Sequence, residues 1–175
     1  MFPRLRFVRN NQKGFTLLEL IIAIAIAGLI TAGITVAIMQ ILDVNHRASN
    51  RMIAVRQVQQ AGKEVSKDAL QSQNVTYHGS PGFNLTLAWK NPEDAQNVVT
   101  YTISEANELA RSHTVDGTPV QTARPIVAQY IDPYQTYCVW NGTTRVLIFT
   151  ITAALGTESE TRIYEIEPRP NAPTS

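Results

Sequence analysis

Hydrophobic residues are concentrated in one uninterrupted block near the start of the chain. Residues 20–39 read LIIAIAIAGLITAGITVAIM and hold no charged side chain. Because a helix rises about 1.5 Å per residue, about twenty residues cover the roughly 30 Å of a bilayer core. The pattern therefore predicts a helix that can span a membrane, with the hydroxyls of Thr31 and Thr35 bonded to the preceding turn.

A second helical pattern follows this block, with no proline between the two. Apolar and small residues recur every three or four positions, which predicts an amphipathic continuation of the same helix to about Ser72. Within it, Gly62 is expected to be a weak point of about 1 kcal/mol relative to Ala. The predicted apolar stripe consists of Ile41, Val44, Ala48, Met52, Val55, Val58, Gly62, Val65 and Ala69.

Beyond residue 73 the pattern changes to that of strands and turns. Phe83, Leu85, Leu87 and Trp89 alternate with polar residues, which is typical of a half-buried strand. Further strands are predicted over residues 98–104, 108–113, 125–131, 137–140, 145–154 and 162–167. Turns or loops are predicted at residues 79–82, 91–94, 116–119, 141–142 and 156–161. The order predicts an α+β fold, in which one long N-terminal helix packs against a C-terminal antiparallel β-sheet.

Charge is distributed unevenly around the apolar block. Arg4, Arg6, Arg9 and Lys13 precede it, and residues 1–14 contain no acid. Since positive charge stays on the cytoplasmic side, the C-terminal bulk is expected outside the cytoplasm. The whole chain has a formal charge of +1; without residues 1–14, eleven basic side chains face fourteen acidic ones, which gives −3. This balance argues against nucleic acid as a partner.

Glu19 lies at the very start of the apolar run. A carboxylate at membrane depth costs a few kcal/mol and usually faces a partner. A secretory signal peptide has a shorter apolar stretch, with its cleavage site after that stretch. An ordinary membrane anchor explains everything except Glu19. Either Glu19 reaches the membrane interface, or a positive group meets it. A cut after Gly14 would place a new amino group on Phe15, which could pair with Glu19 of a neighbouring subunit.

Residues 13–19, KGFTLLE, resemble the processing site of type IV prepilins and of type II secretion pseudopilins. That family has a basic leader, a Gly before the cut, a Phe after it, and a Glu five residues into the mature chain. The resemblance implies cleavage between Gly14 and Phe15 by a prepilin peptidase, N-methylation of Phe15, and Glu19 as the assembly carboxylate. The chain departs from many major pilins, which have a proline in this helix and a C-terminal disulfide.

The resemblance also implies partners and a location. The expected partners are the prepilin peptidase, other pilin or pseudopilin subunits through the N-terminal helix, an inner-membrane assembly platform, and membrane lipid before assembly. The chain is expected to be a single-pass protein of the cytoplasmic membrane that is later incorporated into a fibre. Residues 98–111, 125–127 and 163–166 are similar to minor pilins and minor pseudopilins of the J and W types. A minor subunit of a type IV pilus or a secretion pseudopilus is therefore expected.

Five segments follow from these patterns. They are a cleaved basic leader at residues 1–14, a transmembrane and assembly helix at 15–42, its amphipathic continuation at 43–73, a β-sheet domain at 74–167, and a flexible tail at 168–175. The tail is rich in proline, which neither a helix interior nor a central strand accepts.

No pattern of catalytic or metal-binding residues is present. The single cysteine, Cys138, is expected to be a buried small hydrophobe, and Glu158 and Glu160 are expected in a solvated loop. The sequence contains no nucleophile elbow and no phosphate-binding loop. We expect no enzyme activity, no cofactor and no metal. The alternative is a membrane-anchored binding domain that does not polymerise, in which Glu19 could be neutralised without effect. The histidines, which lack ligand spacing, are His46, His78 and His113.

Overall fold

The computed structural model describes residues 14–78, 83–120 and 125–169. The chain divides into two compact units, residues 1–44 and residues 45–175. The basic side chains of the leader and the turn predicted at residues 79–82 lie outside the described residues. One helix, α1 (Leu17–Gln71), begins in the first unit and ends in the second, which agrees with the predicted helix to within about two residues.

Among the described residues, the first unit holds residues 14–16 and the apolar part of α1. Its side chains are exposed all around the helix. The hydroxyls of Thr31 and Thr35 donate to the backbone carbonyls of Ala27 and Thr31, each at 2.8 Å. This confirms that the two threonines bond to the preceding turn, so their polar groups do not compete with the surroundings of the helix.

In the second unit, one face of α1 is buried against the sheets. Val58, Gly62, Val65 and Ala69 are buried, as the stripe predicts, but Met52 is 57% exposed. The prediction is wrong there because burial begins only at about residue 54. The buried face of α1 also includes one acid, Asp68. The buried residues of α1 are Ala54, Val58, Ala61, Gly62, Val65, Asp68 and Ala69.

Nine strands form two antiparallel sheets among the described residues. The larger sheet has the order β1-β2-β3-β4-β5, with β6 also paired to β4; the smaller has the order β7-β8-β9. The strands of the larger sheet are β1 (Asn74–His78), β2 (Asn84–Lys90), β3 (Gln96–Ile103), β4 (Leu109–Val115), β5 (Thr118–Pro119) and β6 (Ile126–Ala128). Those of the smaller are β7 (Tyr137–Asn141), β8 (Val146–Leu155) and β9 (Glu158–Ile166).

The predicted α+β class is confirmed, whereas the prediction of one sheet is wrong, since the strands form two. Strand β1 was missed because its residues are mostly exposed and show no clear alternation. The loop predicted at residues 156–161 is also wrong: β9 begins at Glu158, and Glu160 faces Arg162 with an oxygen-to-nitrogen distance of 3.5 Å. The turn predicted at residues 116–119 is confirmed at Asp116 and Gly117, both at positive φ (48° and 77°), as a tight hairpin turn requires, whereas the last two residues of the prediction form β5.

One hydrophobic cluster joins the buried face of α1 to both sheets. Alternate residues of β2 and β3 point into it, among them Leu85, Leu87 and Val99. Strand β8 lies between β7 and β9 and is buried over most of its length. The Tyr164 ring lies over Gly62 so closely that an added Cβ would overlap it. The glycine is therefore a site of close approach between helix and sheet.

Candidate functional site

The beginning of α1 is fixed by Thr16. Its side-chain oxygen accepts a hydrogen bond from the backbone N–H of Glu19 at 3.3 Å, and its carbonyl accepts one from Leu20 at 3.2 Å. Thr16 is therefore the N-cap of the helix. A Thr followed by Glu three residues later is the spacing of a capping box. The sequence analysis missed this role of Thr16, although the spacing was there to indicate it.

Glu19 lies in the first turn of α1. The unpaired N–H groups there make the start of a helix partly positive, so a carboxylate at this position stabilises it. Gly14 and Phe15 precede the helix and have no regular secondary structure. The bond between them is thus not held in helical hydrogen bonds. Phe15 is 87% exposed, and nothing lies within 4 Å of a Cβ built on Gly14.

Large apolar side chains cover the helix after Glu19. The segment is long and apolar enough to cross a membrane, and its most apolar window has no buried residue in the structure. A continuous exposed apolar surface of this kind marks contact with lipid or protein. Its members include Leu20, Ile21, Ile22, Ile24, Ile26, Leu29, Ile30, Ile34, Val36, Ile38, Met39, Ile41 and Leu42, each at least half exposed.

A second cluster of polar side chains lies inside the globular unit. Asp68, 3% exposed, accepts two hydrogen bonds from Arg111, from Nε to Oδ2 at 2.7 Å and from Nη2 to Oδ1 at 3.2 Å. The Tyr101 hydroxyl also donates to Oδ2, at 2.5 Å. Tyr101 and Arg111 are directly opposite each other on β3 and β4. The cluster therefore ties the helix to the larger sheet through a two-pronged ion pair.

The electrostatics of this cluster are those of a structural tie. Burial raises the pKa of Tyr101 above its usual range, and the Asp68 carboxylate raises it further. The hydrogen bond that Arg111 donates to the Asp68 carboxylate raises the pKa of Arg111, while burial opposes this rise. No buried side-chain nitrogen or oxygen in the described residues is left without a partner. The feature of the sequence that could have indicated this cluster is an acid, Asp68, three residues after Val65 on the buried face of α1.

Two further titratable candidates are His113 and Cys138. The described residues contain no group of three or more His, Cys, Asp or Glu side chains arranged to hold a metal ion. His113 is half-buried and stacks on Trp89 with ring centroids 6.0 Å apart. Burial lowers the pKa of His113, and the charge of Arg111 lowers it further. Cys138 is buried, as expected, and burial raises its pKa to about 12. A thiol of this kind is not a nucleophile at neutral pH.

The comparison with protein families gives one match, at the N-terminus. The family described as the prokaryotic N-terminal methylation motif matches residues 9–35, which include the predicted cleavage position, Glu19 and most of the apolar run. No curated protein and no solved structure matches the chain. The matched segment is the part of the chain where Thr16 begins the helix. The chain therefore carries the N-terminal methylation motif that is the signature of type IV pilin and pseudopilin precursors.

Proposed function

We propose that this protein is a minor pilin or minor pseudopilin, which a prepilin peptidase processes and which assembles through its N-terminal helix into a type IV pilus or a type II secretion pseudopilus. One observation carries the proposal: the methylation motif at residues 9–35 coincides with the start of an apolar helix that is exposed on all sides. Such a helix needs lipid around it before assembly and neighbouring helices after it.

The peptidase cuts between Gly14 and Phe15 and removes the basic leader. The lack of helical structure at Gly14 favours this, because a peptidase must reach both sides of the bond it cleaves. The product has an amino group at Phe15, which is then methylated. Arg4, Arg6, Arg9 and Lys13 keep the leader on the cytoplasmic side until the cut, so the globular unit lies outside the cytoplasm.

Glu19 directs assembly by pairing with the new amino group of a neighbouring subunit. The amino group lies at the positive end of the α1 dipole, where a positive charge is disfavoured and a nearby carboxylate compensates it. In the low dielectric between packed helices, this attraction is much stronger than in water. Two charged groups that satisfy each other also remove the cost of leaving either one alone in an apolar surrounding.

Each segment of the chain has its own part in processing and assembly. Residues 1–14 are the leader, 15–42 the transmembrane and assembly helix, 43–73 its continuation beneath the sheets, 74–167 the globular domain and 168–175 the tail. Partners are other pilin or pseudopilin subunits, the peptidase and the inner-membrane assembly platform. A minor role of the J or W type is favoured because one buried cysteine provides no C-terminal disulfide. The proposed role requires no enzyme activity and no cofactor.

Substitution of Glu19 tests the assembly step. In cells that carry the assembly system, Glu19→Ala is expected to leave the amount of processed protein in the membrane unchanged and to abolish its recovery in sheared fibres. The matched control is Glu105→Ala, which removes an exposed acid from the globular unit. Recovery of Glu19→Ala in fibres at the level of the control would favour the alternative, a membrane-anchored binding domain that does not polymerise.

A further inference from the structure

The globular unit has a small cavity, formed by parts of both sheets, that the proposed function does not use. The cavity is lined by Asn107 in the turn between β3 and β4, by residues 130–134 between β6 and β7, and by Ala154 of β8. Its volume is about 260 Å³, slightly below the range of pockets that hold drug-sized ligands. The cavity therefore suits a small chemical group rather than a large molecule.

The backbone around this cavity is fixed by hydrogen bonds to both sheets. The N–H of Ile131 donates to the carbonyl of Asn107 at 2.8 Å, on the side of the larger sheet. The N–H of Ala154, in the smaller sheet, donates to the carbonyl of Tyr130 at 2.8 Å. Asn107 and Tyr130 both have positive φ, at 58° and 61°, a conformation that is unfavourable for residues other than glycine and persists where the surroundings enforce it. The fold thus holds the lining of the cavity in place before any ligand binds.

Two tyrosines line the cavity, and both are exposed to solvent. Tyr130 is 42% exposed and Tyr134 is 79% exposed. Among the described residues, neither ring stacks on another aromatic side chain and neither hydroxyl has a hydrogen-bond partner. The face of an aromatic ring carries partial negative charge and attracts a cation. Two such rings beside one cavity therefore favour a positively charged occupant.

Asp132 lies between the two tyrosines in the sequence and is the one charged residue among the described residues that line the cavity. Its Oδ1 accepts hydrogen bonds from the backbone N–H groups of Tyr134 at 2.9 Å and of Gln135 at 3.2 Å, which hold the turn that carries Tyr134. Within the described part of the chain, Oδ2 accepts no hydrogen bond and the carboxylate has no ion-pair partner. One carboxylate oxygen is therefore available to a ligand, and only a cation would compensate its charge.

We propose that this cavity binds an organic cation, whose positive group contacts the rings of Tyr130 and Tyr134 and the carboxylate of Asp132. Proteins recognise quaternary ammonium ligands by surrounding the charged group with aromatic rings. The same chemistry is offered by a small quaternary ammonium compound, such as choline, and by the side-chain ammonium group of a lysine on a partner protein. The site belongs to the globular unit and depends on neither processing nor assembly.

Titration with a charged probe and its neutral counterpart tests the proposal. The full-length protein is prepared in micelles of an uncharged detergent with its six tyrosines replaced by fluorotyrosine, and Tyr130→Phe and Tyr134→Phe assign their two ¹⁹F signals. The probes are choline, added at constant ionic strength, and its neutral isostere, in which a tert-butyl group replaces the trimethylammonium group. The proposal predicts shifts of the Tyr130 and Tyr134 signals that saturate with choline, and a dissociation constant about tenfold or more weaker for the neutral isostere.

Substitutions test the charge and the ring separately. Asp132→Asn removes the charge but keeps an oxygen for the hydrogen bonds of the turn, and it should weaken choline binding about threefold or more. Tyr134→Leu should weaken binding to a similar extent, whereas Tyr134→Phe, which keeps the ring, should bind choline like the wild type. The matched controls are Glu93→Gln and Tyr77→Leu, which alter an exposed acid and an exposed tyrosine outside the cavity and should leave binding unchanged.

A second cation identifies the source of the positive group. Butylammonium carries the ammonium group of a lysine side chain, so tighter binding of butylammonium would assign the site to a lysine, and tighter binding of choline to a quaternary compound. Equal binding of choline and its neutral isostere would overturn the proposal. The absence of a saturable shift with either cation would also overturn it, as would full retention of binding in both Asp132→Asn and Tyr134→Leu.

Discussion

Removal of the Asp68 carboxylate should destabilise the globular unit more than removal of any surface charge. Asp68→Ala leaves Arg111, whose side chain is only 15% exposed, without its counter-charge. It also leaves the buried Tyr101 hydroxyl without an acceptor. Breaking a buried ion pair from one side costs about 3–5 kcal/mol, and an unsatisfied buried hydroxyl costs about 1–3 kcal/mol. Because the costs overlap, we expect a total loss of about 3–5 kcal/mol.

The assay is urea unfolding of the full chain in detergent micelles, followed by tryptophan fluorescence. Both tryptophans lie in the second unit, so the signal reports the globular fold. Lys90→Ala is the control: it breaks the Lys90–Asp94 pair, which at 2.8 Å is nearly as short as the 2.7 Å pair of Arg111 and Asp68 but has exposed side chains. Exposed pairs contribute at most about 1 kcal/mol.

Replacing the whole cluster by apolar residues distinguishes the cost of a lone charge from the value of the pair. The triple variant Asp68→Leu, Tyr101→Phe, Arg111→Met leaves no uncompensated group, so it should be more stable than Asp68→Ala by about 2 kcal/mol or more. A loss below about 1 kcal/mol for Asp68→Ala would refute the reasoning. So would a triple variant as unstable as the single one, because packing rather than charge would then account for the effect.

Three further results are expected. Gly62→Ala should lower the free energy of unfolding by about 1–3 kcal/mol, despite the better helix propensity of Ala, because the new methyl group overlaps Tyr164. The control Gly33→Ala should not lower it, because a Cβ at Gly33 meets nothing within 4 Å. Urea unfolding of both variants checks this. Burial raises the folded-state pKa of Cys138 from 9.0 to about 12. The contribution of Cys138 to stability should therefore be constant below pH 9 and fall as the pH rises toward 12. Urea unfolding at several pH values should show a smaller decline in stability for Cys138→Ala than for the wild type. Thr16→Ala should cost about 1 kcal/mol at the start of α1, seen as faster amide exchange in its first turn only.

Features set by neighbouring residues were predictable from the sequence. The bounds of α1, the bonds of Thr31 and Thr35 to the preceding turn, and the tight turn at Asp116 and Gly117 each depend on a few adjacent residues. The N-terminal methylation motif is equally local, because it lies within the short segment of residues 9–35. Such features can be predicted without knowing how the remainder of the chain folds.

Features set by long-range packing were not predictable. The division of nine strands into two sheets depends on pairing between residues far apart in the chain, and nothing in the individual strands determines it. Asp68 is buried because Tyr101 and Arg111, more than thirty residues away, meet it. Gly62 looks like a weak helix residue until the Tyr164 ring is seen lying over it. In each case the role of the residue depends on a contact with a residue far away in the sequence.

The central claim concerns the bond between Gly14 and Phe15. The most direct test is the intact mass and N-terminal sequence of the membrane-extracted protein, expressed with and without an active prepilin peptidase. The account predicts a chain that begins at Phe15 only when the peptidase is present, heavier by one methylene, about 14 Da, when the amino group is methylated. A chain that keeps residues 1–14 in the presence of an active peptidase would contradict it.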